Sequence, residues 1–328
     1  MKKRIWTILM SVCLLAGAAG CGGSGHTAVT AAADDSQGIH IVATIFPEYD
    51  WTRQVLGDRL EETDLTLLCN GVDLHSYQPS AEDMTRIADC DLFIYVGGES
   101  DEWVDDALAS EGNPDRQVIN LLDVLGSSAR EEELVEGMKA EEEAEEEGEA
   151  EYDEHVWLSL RNAKQFTAEI ARVLGELDPD HAAEYKGNAD TYTASLDDLD
   201  SRYQEAVSGG RVSTLLFGDR FPFRYLTEDY GLDYYAAFAG CSAETEASFE
   251  TIAFLTQKAD ELQLHTILKI EGEGNRIADT IAQNASYKDM KVSVLNSMQG
   301  ISQKEIEEGK DYLSIMEDNL QVLTEALQ

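Results

Sequence analysis

DLFIYVGGESDEWVDDALA, residues 91–109, carries two patterns in succession. DLFIYVGG (91–98) is a short, continuous apolar run, the mark of a strand covered on both faces. DEWVDDALA, which follows, reads as a helix. The same strand-then-helix unit repeats on either side. Upstream, IHIVATIF (39–46) is a buried strand, followed by a helix with Trp51, Val55 and Leu56 on one face. DLTLLC (64–69) is a second strand, and Ser80 caps the helix of AEDMTRIADC with Asp83 as its capping-box partner. Downstream, QVINL (117–121) is a fourth strand. Apolar strands alternating with amphipathic helices predict a parallel sheet covered on both sides.

The alternation stops at residues 131–154, EEELVEGMKAEEEAEEEGEAEYDE. This stretch holds 14 acids and one lysine and almost no apolar content, and it predicts a mobile surface loop. Asn162 to about Ser208 then reads as one long helix, bent or split at DPDH (178–181). The strand pattern restarts after Gly209-Gly210 with STLLFG (213–218), DYYAAF (233–238), TILKIEG (266–272) and KVSVLN (291–296), each followed by a helix. The expected fold class is therefore α/β, with two lobes of parallel sheet joined by one long helix. The first lobe spans 39–161, with 131–154 as its acidic loop; the linking helix spans 162–208 and the second lobe 209–328. Ligands of open parallel sheets bind beyond the carboxyl ends of the strands, so two facing lobes place a site in the cleft between them.

MKKRIWTILMSVCLLAGAAG (1–20) has the basic start, short apolar core and small-residue end of a secretory signal. Cys21 directly after it resembles a bacterial lipobox, with Ala18 where leucine is commoner. That implies a lipid on Cys21 and a chain tethered outside the cytoplasmic membrane, with residues 21–38 as a flexible tether. An ordinary cleavage site and a freely secreted chain are the alternative. The chain of 328 residues carries 65 acids against 24 bases, a net charge of −41. Nucleic acid and anionic lipid are thereby poor partners, and cations are suited to the surface. Cys69 and Cys90 each lie near a predicted strand; a disulfide between them is geometrically conceivable, and buried free thiols are the other reading.

Two of the six histidines fall in loops that face the cleft. His75 lies in GVDLHSYQPS after the second strand, and His155 in DEHVWLS before the long helix. Neutral imidazole is a common zinc ligand whose second nitrogen is oriented by a carboxylate or carbonyl, and Asp73, Asp153 and Glu154 are near enough in sequence to serve. His26, His40, His181 and His265 read as solvated or structural.

ATIFPEYDWTRQVLGD, GVDLHSYQPSAEDMTRIADCDLFIYVGG, DEHVWLSLRNA and GKDYLSIMEDNLQVLTEAL together resemble the zinc- and manganese-binding receptors of bacterial ABC importers, the cluster A-I substrate-binding lipoproteins. The resemblance covers nearly all of the mature chain. It implies two (β/α)4 lobes joined by one rigid helix, with the metal site in the inter-lobe cleft, and it places the first two ligands on His75 and His155. The third family ligand falls on Gly218, with Asp219 one residue on as its substitute. The fourth falls in LNSMQGIS, which offers Asn296 and Gln299; Glu271 and Glu273 are the acids that close the shell instead.

The expected function is an extracytoplasmic receptor, not an enzyme, that captures Zn(II) and delivers it to a membrane permease driven by an ATPase. It is expected to act as a monomer. Two imidazoles favour zinc, and the acid-rich remainder keeps Mn(II) as the alternative cargo. An extracellular metallohydrolase would need a general base in the same cleft, from Glu271, Glu273 or Asp219, and neither an HExxH helix nor a nucleophile elbow is present. A surface adhesin is the third class.

Overall fold

The computed structural model describes residues 38–138, 151–242, 246–272 and 276–328. The Cys21 lipidation site, the tether, Glu273 and part of the acidic loop lie outside them.

All eight expected strands form, in two parallel sheets of four. The first contains β1 (His40–Ala43), β2 (Asp64–Leu67), β3 (Leu92–Tyr95) and β4 (Gln117–Asn120), in the order β2-β1-β3-β4. The second contains β5 (Thr214–Phe221), β6 (Asp233–Ala239), β7 (Thr266–Lys269) and β8 (Lys291–Val294), in the order β6-β5-β7-β8. The two orders are the same topology used twice. The helices of the first half are α1 (Phe46–Leu56), α2 (Ala81–Asp89), α3 (Trp103–Ala109), α4 (Leu121–Leu125) and α5 (Leu160–Leu177). The long helix α6 (Ala182–Ser208) joins the sheets, and α7 (Arg224–Tyr230), α8 (Phe249–Glu261), α9 (Ile277–Asn284), α10 (Gln303–Glu307) and α11 (Tyr312–Ala326) complete the second half.

The continuous apolar reading of the strands has a direct cause. Along β1 and β3, Ile41, Ala43, Leu92 and Ile94 enter one large core, while Val42 and Phe93 face a smaller one with Ile87 and Val104 from α2 and α3. The second sheet divides in the same way, Leu215 and Phe217 entering the large core and Leu216 the cluster under α8 and α9. Successive residues thus bury opposite faces. The large core runs without a break from one sheet to the other. At its centre Trp51 of α1 packs on Phe166 of α5 and on Tyr312 of α11, with ring centroids 5.5 and 5.2 Å apart.

Three features differ from the expectation. The segment from Asn162 to Ser208 is a helical hairpin, with α6 turned back against α5. Its turn holds Pro179, which cannot donate a backbone hydrogen bond, and Asp178 Oδ2 fixes it by accepting from Tyr185 Oη at 2.8 Å and lying 2.7 Å from His181 Nδ1. Second, β5 continues past Gly218 to Phe221, with an irregular register against β6 between Phe217 and Arg220. Third, the acidic stretch ends inside the protein, although its first residues, 131–136, are largely exposed. Glu131 bridges Tyr152, and Asp153 and Glu154 are buried. Cys69 and Cys90 are both buried and free.

Candidate metal centre

The strand-end loops of both sheets converge on His155. His75 sits in a single 3-10 turn (Leu74–Ser76) after β2, anchored by the buried Leu74. Asp73 Oδ1 accepts from the His75 amide at 3.0 Å and so sets the turn. The other oxygen of Asp73 meets Arg220 Nη2, from the end of β5, at 2.7 Å. Burial raises the Asp73 carboxyl, but the Arg220 hydrogen bond and charge outweigh it and hold the group below its usual range.

His75 Nδ1 lies 2.7 Å from Ser100 Oγ, in the loop after β3, and 3.5 Å from Glu154 Oε2. Glu154 is held in place by the Ser100 amide, which donates to its Oε1 at 2.7 Å. Burial and the adjacent His155 push the His75 imidazole down to about 3, so the ring is neutral at physiological pH. With Nδ1 engaged by Ser100, Nε2 faces the cleft.

His155 is fully buried. Asp153 Oδ1 accepts from the His155 backbone amide at 2.9 Å and lies 3.0 Å from Nδ1. The carboxylate thereby fixes the tautomer with the proton on Nδ1, leaving the Nε2 lone pair for a ligand. Asp153 is the orienting carboxylate the sequence offered. On the second sheet, Gly240 lies against the ring; a Cβ there would be 2.9 Å from His155 Cε1.

The two imidazoles meet at their outer nitrogens, His75 Nε2 being 3.1 Å from His155 Nε2. Tetrahedral zinc with Zn–N bonds near 2.0–2.1 Å holds its ligand atoms roughly 3.3 Å apart. The pair is therefore spaced almost as a shared ion would space it. Cys241, just past β6, is the third member: ligand atoms of His75, His155 and Cys241 all lie within 4.8 Å of one another. Its amide donates to Glu132 Oε1 at 3.2 Å. Burial, then the charges of Glu154, Glu132 and Asp153, push its thiol well above the usual range.

The remaining sequence candidates take other places. Gln299 Nε2 is 3.0 Å from His155 Nε2. Glu271 stands one step behind, its carboxylate accepting from Ser297 N at 2.7 Å, Ser297 Oγ at 2.8 Å and Gln299 N at 3.3 Å. Asp219 is buried, and its oxygens accept from the amides of Ile270 and Arg220 at 3.1 and 2.9 Å. Neither acid belongs to the converging group. Gly218 has α9 against it, leaving no room for a side chain. Sequence reasoning missed Cys241, because its partners lie far away in the chain and no short spacing joins them.

Two parallel sheets, their loops meeting at a pair of oriented histidines, define a metal-binding receptor of the two-lobed kind. Residues 41–326 match the family described as "Zinc-uptake complex component A periplasmic". The chain belongs to this family, whose members are the extracytoplasmic zinc-binding components of ABC-type uptake systems and are not enzymes. It is 31% identical to the high-affinity zinc uptake system protein ZnuA of Bacillus subtilis, over 99% of this chain and 98% of that protein. It is 30% identical to the zinc-binding lipoprotein AdcA of Streptococcus pneumoniae, over 87% of this chain but only 55% of that longer protein. The Zn(II)-bound ZnuA-like domain of S. pneumoniae AdcA superposes with a TM-score of 0.69 at 28% identity, over 88% of this chain and 99% of that domain.

Proposed function

We propose that the chain captures Zn(II) outside the cytoplasmic membrane through His75 Nε2 and His155 Nε2 and hands it to the permease of an ATPase-driven importer. A lipid on Cys21 holds it to the membrane surface. The observation that carries this reading is the pair of Nε2 atoms 3.1 Å apart, each ring having its Nδ1 engaged elsewhere. Two imidazoles, with no carboxylate converging on them among the described residues, favour zinc over manganese.

Gln299 supplies a further donor. Ser297 Oγ lies 3.0 Å from Gln299 Oε1 and 2.8 Å from Glu271 Oε1, yet a hydroxyl has only one proton to give. With that proton on Glu271, a turned Gln299 amide gives its Nε2 to Ser297 Oγ and its oxygen to the metal. Glu271 positions this arm rather than binding the ion. Asp219 holds the end of β5 to the loop after β7.

Calorimetric titration of the metal-stripped chain tests the site. One zinc per chain is expected, and His75→Ala or His155→Ala should each weaken it by more than about 100-fold, since loss of an outer partner alone costs roughly 10- to 100-fold. If both variants bind zinc as the native chain does, the receptor holds its metal elsewhere. In competition, zinc should displace manganese.

A further inference from the structure

We infer that Cys241 binds the metal as a thiolate, making this a two-histidine, one-sulfur site whose preference for Zn(II) over Mn(II) is set by Cys241. The inference rests on His75 and His155 being ligands, and it adds the residue that decides which metal they hold.

Three observations carry it. The first is convergence: the Cys241 sulfur and nitrogens of both histidines fall within 4.8 Å of one another. The second is the allocation of the nearby carboxylates. Asp153 orients His155, Asp73 holds Arg220 and the His75 turn, Asp219 holds two backbone amides, and Glu271 holds Ser297 and the Gln299 amide. Each of these is committed to protein donors, and Glu154, held by the Ser100 amide, stands on the Nδ1 side of His75; among the described residues the converging group is therefore two imidazoles and a thiol rather than the oxygen-rich shell manganese prefers. The third is the backbone that delivers the sulfur. Gly240, without a side chain, lies against the His155 ring and lets the end of β6 approach it closely. The Cys241 amide is then fixed on Glu132 Oε1, at 3.2 Å.

The chemistry is balanced within this set. As Zn(II) enters, the S–H bond of Cys241 breaks, its proton passes to solvent, and a zinc–sulfur bond forms. Two neutral imidazoles and one thiolate leave a zinc centre of single positive charge, beside the buried acids Asp153 and Glu154. The fourth tetrahedral position is open to the Gln299 oxygen or to water. Thiolate is a good donor for zinc and a poor one for manganese.

Cobalt(II) substitution into the full chain provides the test. The native protein should show a sulfur-to-cobalt charge-transfer band in the near ultraviolet. Cys241→Ser should abolish it, while Cys69→Ser and Cys90→Ser, at the two other described thiols, should keep it. Cys241→Ser should also lower the zinc-to-manganese affinity ratio by at least about tenfold, and Cys241→Asp, which restores a charged oxygen donor, should lower it further by strengthening manganese. If Cys241→Ser and Cys241→Asp both keep the native ratio and the band is absent from the native protein, while His75→Ala abolishes zinc binding, the sulfur is not a ligand and the receptor site stands without it. If His75→Ala binds zinc normally, the site itself is wrong and the inference falls with it.

Discussion

A methyl group at residue 218 would sit 2.4 Å from Ala278 Cα and 2.6 Å from Ala278 N. Those are backbone atoms of α9, which cannot swing aside as a side-chain tip can. Gly218 is thus the contact on which α9 packs against β5, and no ligand can project from it. Gly218→Ala should destabilise the chain by about 1–3 kcal/mol, the usual cost of overpacking, read as a lower urea midpoint with zinc still binding one to one. An unchanged midpoint would show that α9 gives way. This residue also explains what the sequence did and did not disclose. His75 and His155 were legible because each has flanking residues that announce a turn with an acid beside it. Cys241 was not, because the site is assembled from strand ends brought together only by the fold. Asp219 looked available in the sequence for the converse reason: nothing in the sequence shows that a buried carboxylate has been taken by backbone amides.

Among the elements, α1 begins with a buried acid. Glu48 Oε2 accepts from Thr44 N at 2.9 Å, Thr44 Oγ at 3.0 Å and Ile45 N at 3.1 Å, while Oε1 has no partner. Burial pushes this carboxyl up to about 8, its three donors offset only part of that, and Asp101 adds like-charge repulsion. The folded chain therefore holds a proton that the unfolded chain releases near pH 4.5. This contribution to stability is complete below that pH and is lost as pH rises through about 8, at a slope approaching about 1.4 kcal/mol per pH unit. Asp50 and Asp101, pushed up by burial to about 6 and about 7, act in the same sense at lower pH. Urea unfolding of the stripped protein should show stability declining from pH 5 to 8, and Glu48→Gln should flatten the last unit of it. An identical slope in the variant would remove Glu48 from the account.

A second element-scale clamp joins α11 to the end of β8. Asn319, fully buried, accepts from Asn296 N and donates to Asn296 O, both at 2.8 Å. It fixes the loop that carries Ser297 and Gln299. Asn319→Ala should cost about 2 kcal/mol for the orphaned backbone groups and speed zinc dissociation without changing stoichiometry, by stopped-flow chelator capture. Native dissociation rates would show that the loop holds itself. At this scale the inner strands β1, β3, β5 and β7 were the most readable, because burial of both faces leaves a continuous apolar run, whereas the edge strands β2, β4 and β8 keep exposed residues. The helical hairpin was only half readable: the breaker at Asp178–His181 marked a division, but not that α6 would turn back on α5.

At the scale of the molecule, the chain carries a net charge of −41, and the cargo proposed for it is a cation. Zinc should therefore associate more slowly as salt is added, with a much smaller change in dissociation, because steering acts on the encounter and is screened over about 8–10 Å at physiological salt. Rate measurements at two ionic strengths check this; an association rate indifferent to salt would mean that the acids are too dispersed to steer.

The large core that passes unbroken from one sheet to the other has a mechanical consequence. To part the two halves, Tyr312 would have to leave Trp51, Asp50 and the Trp157 carbonyl inside the shared core, which is unfolding rather than opening. The ties across the mouth of the cleft are slight by comparison: Gly71 N to Ile301 O at 3.1 Å, Gln303 N to Asn70 Oδ1 at 2.7 Å, and the Arg220–Asp73 pair at 2.7 Å. All three grip the segment that ends in His75. Pulled from outside, this body yields at its rim before its middle. A release route through the His75 turn would break a few hydrogen bonds rather than separate two domains.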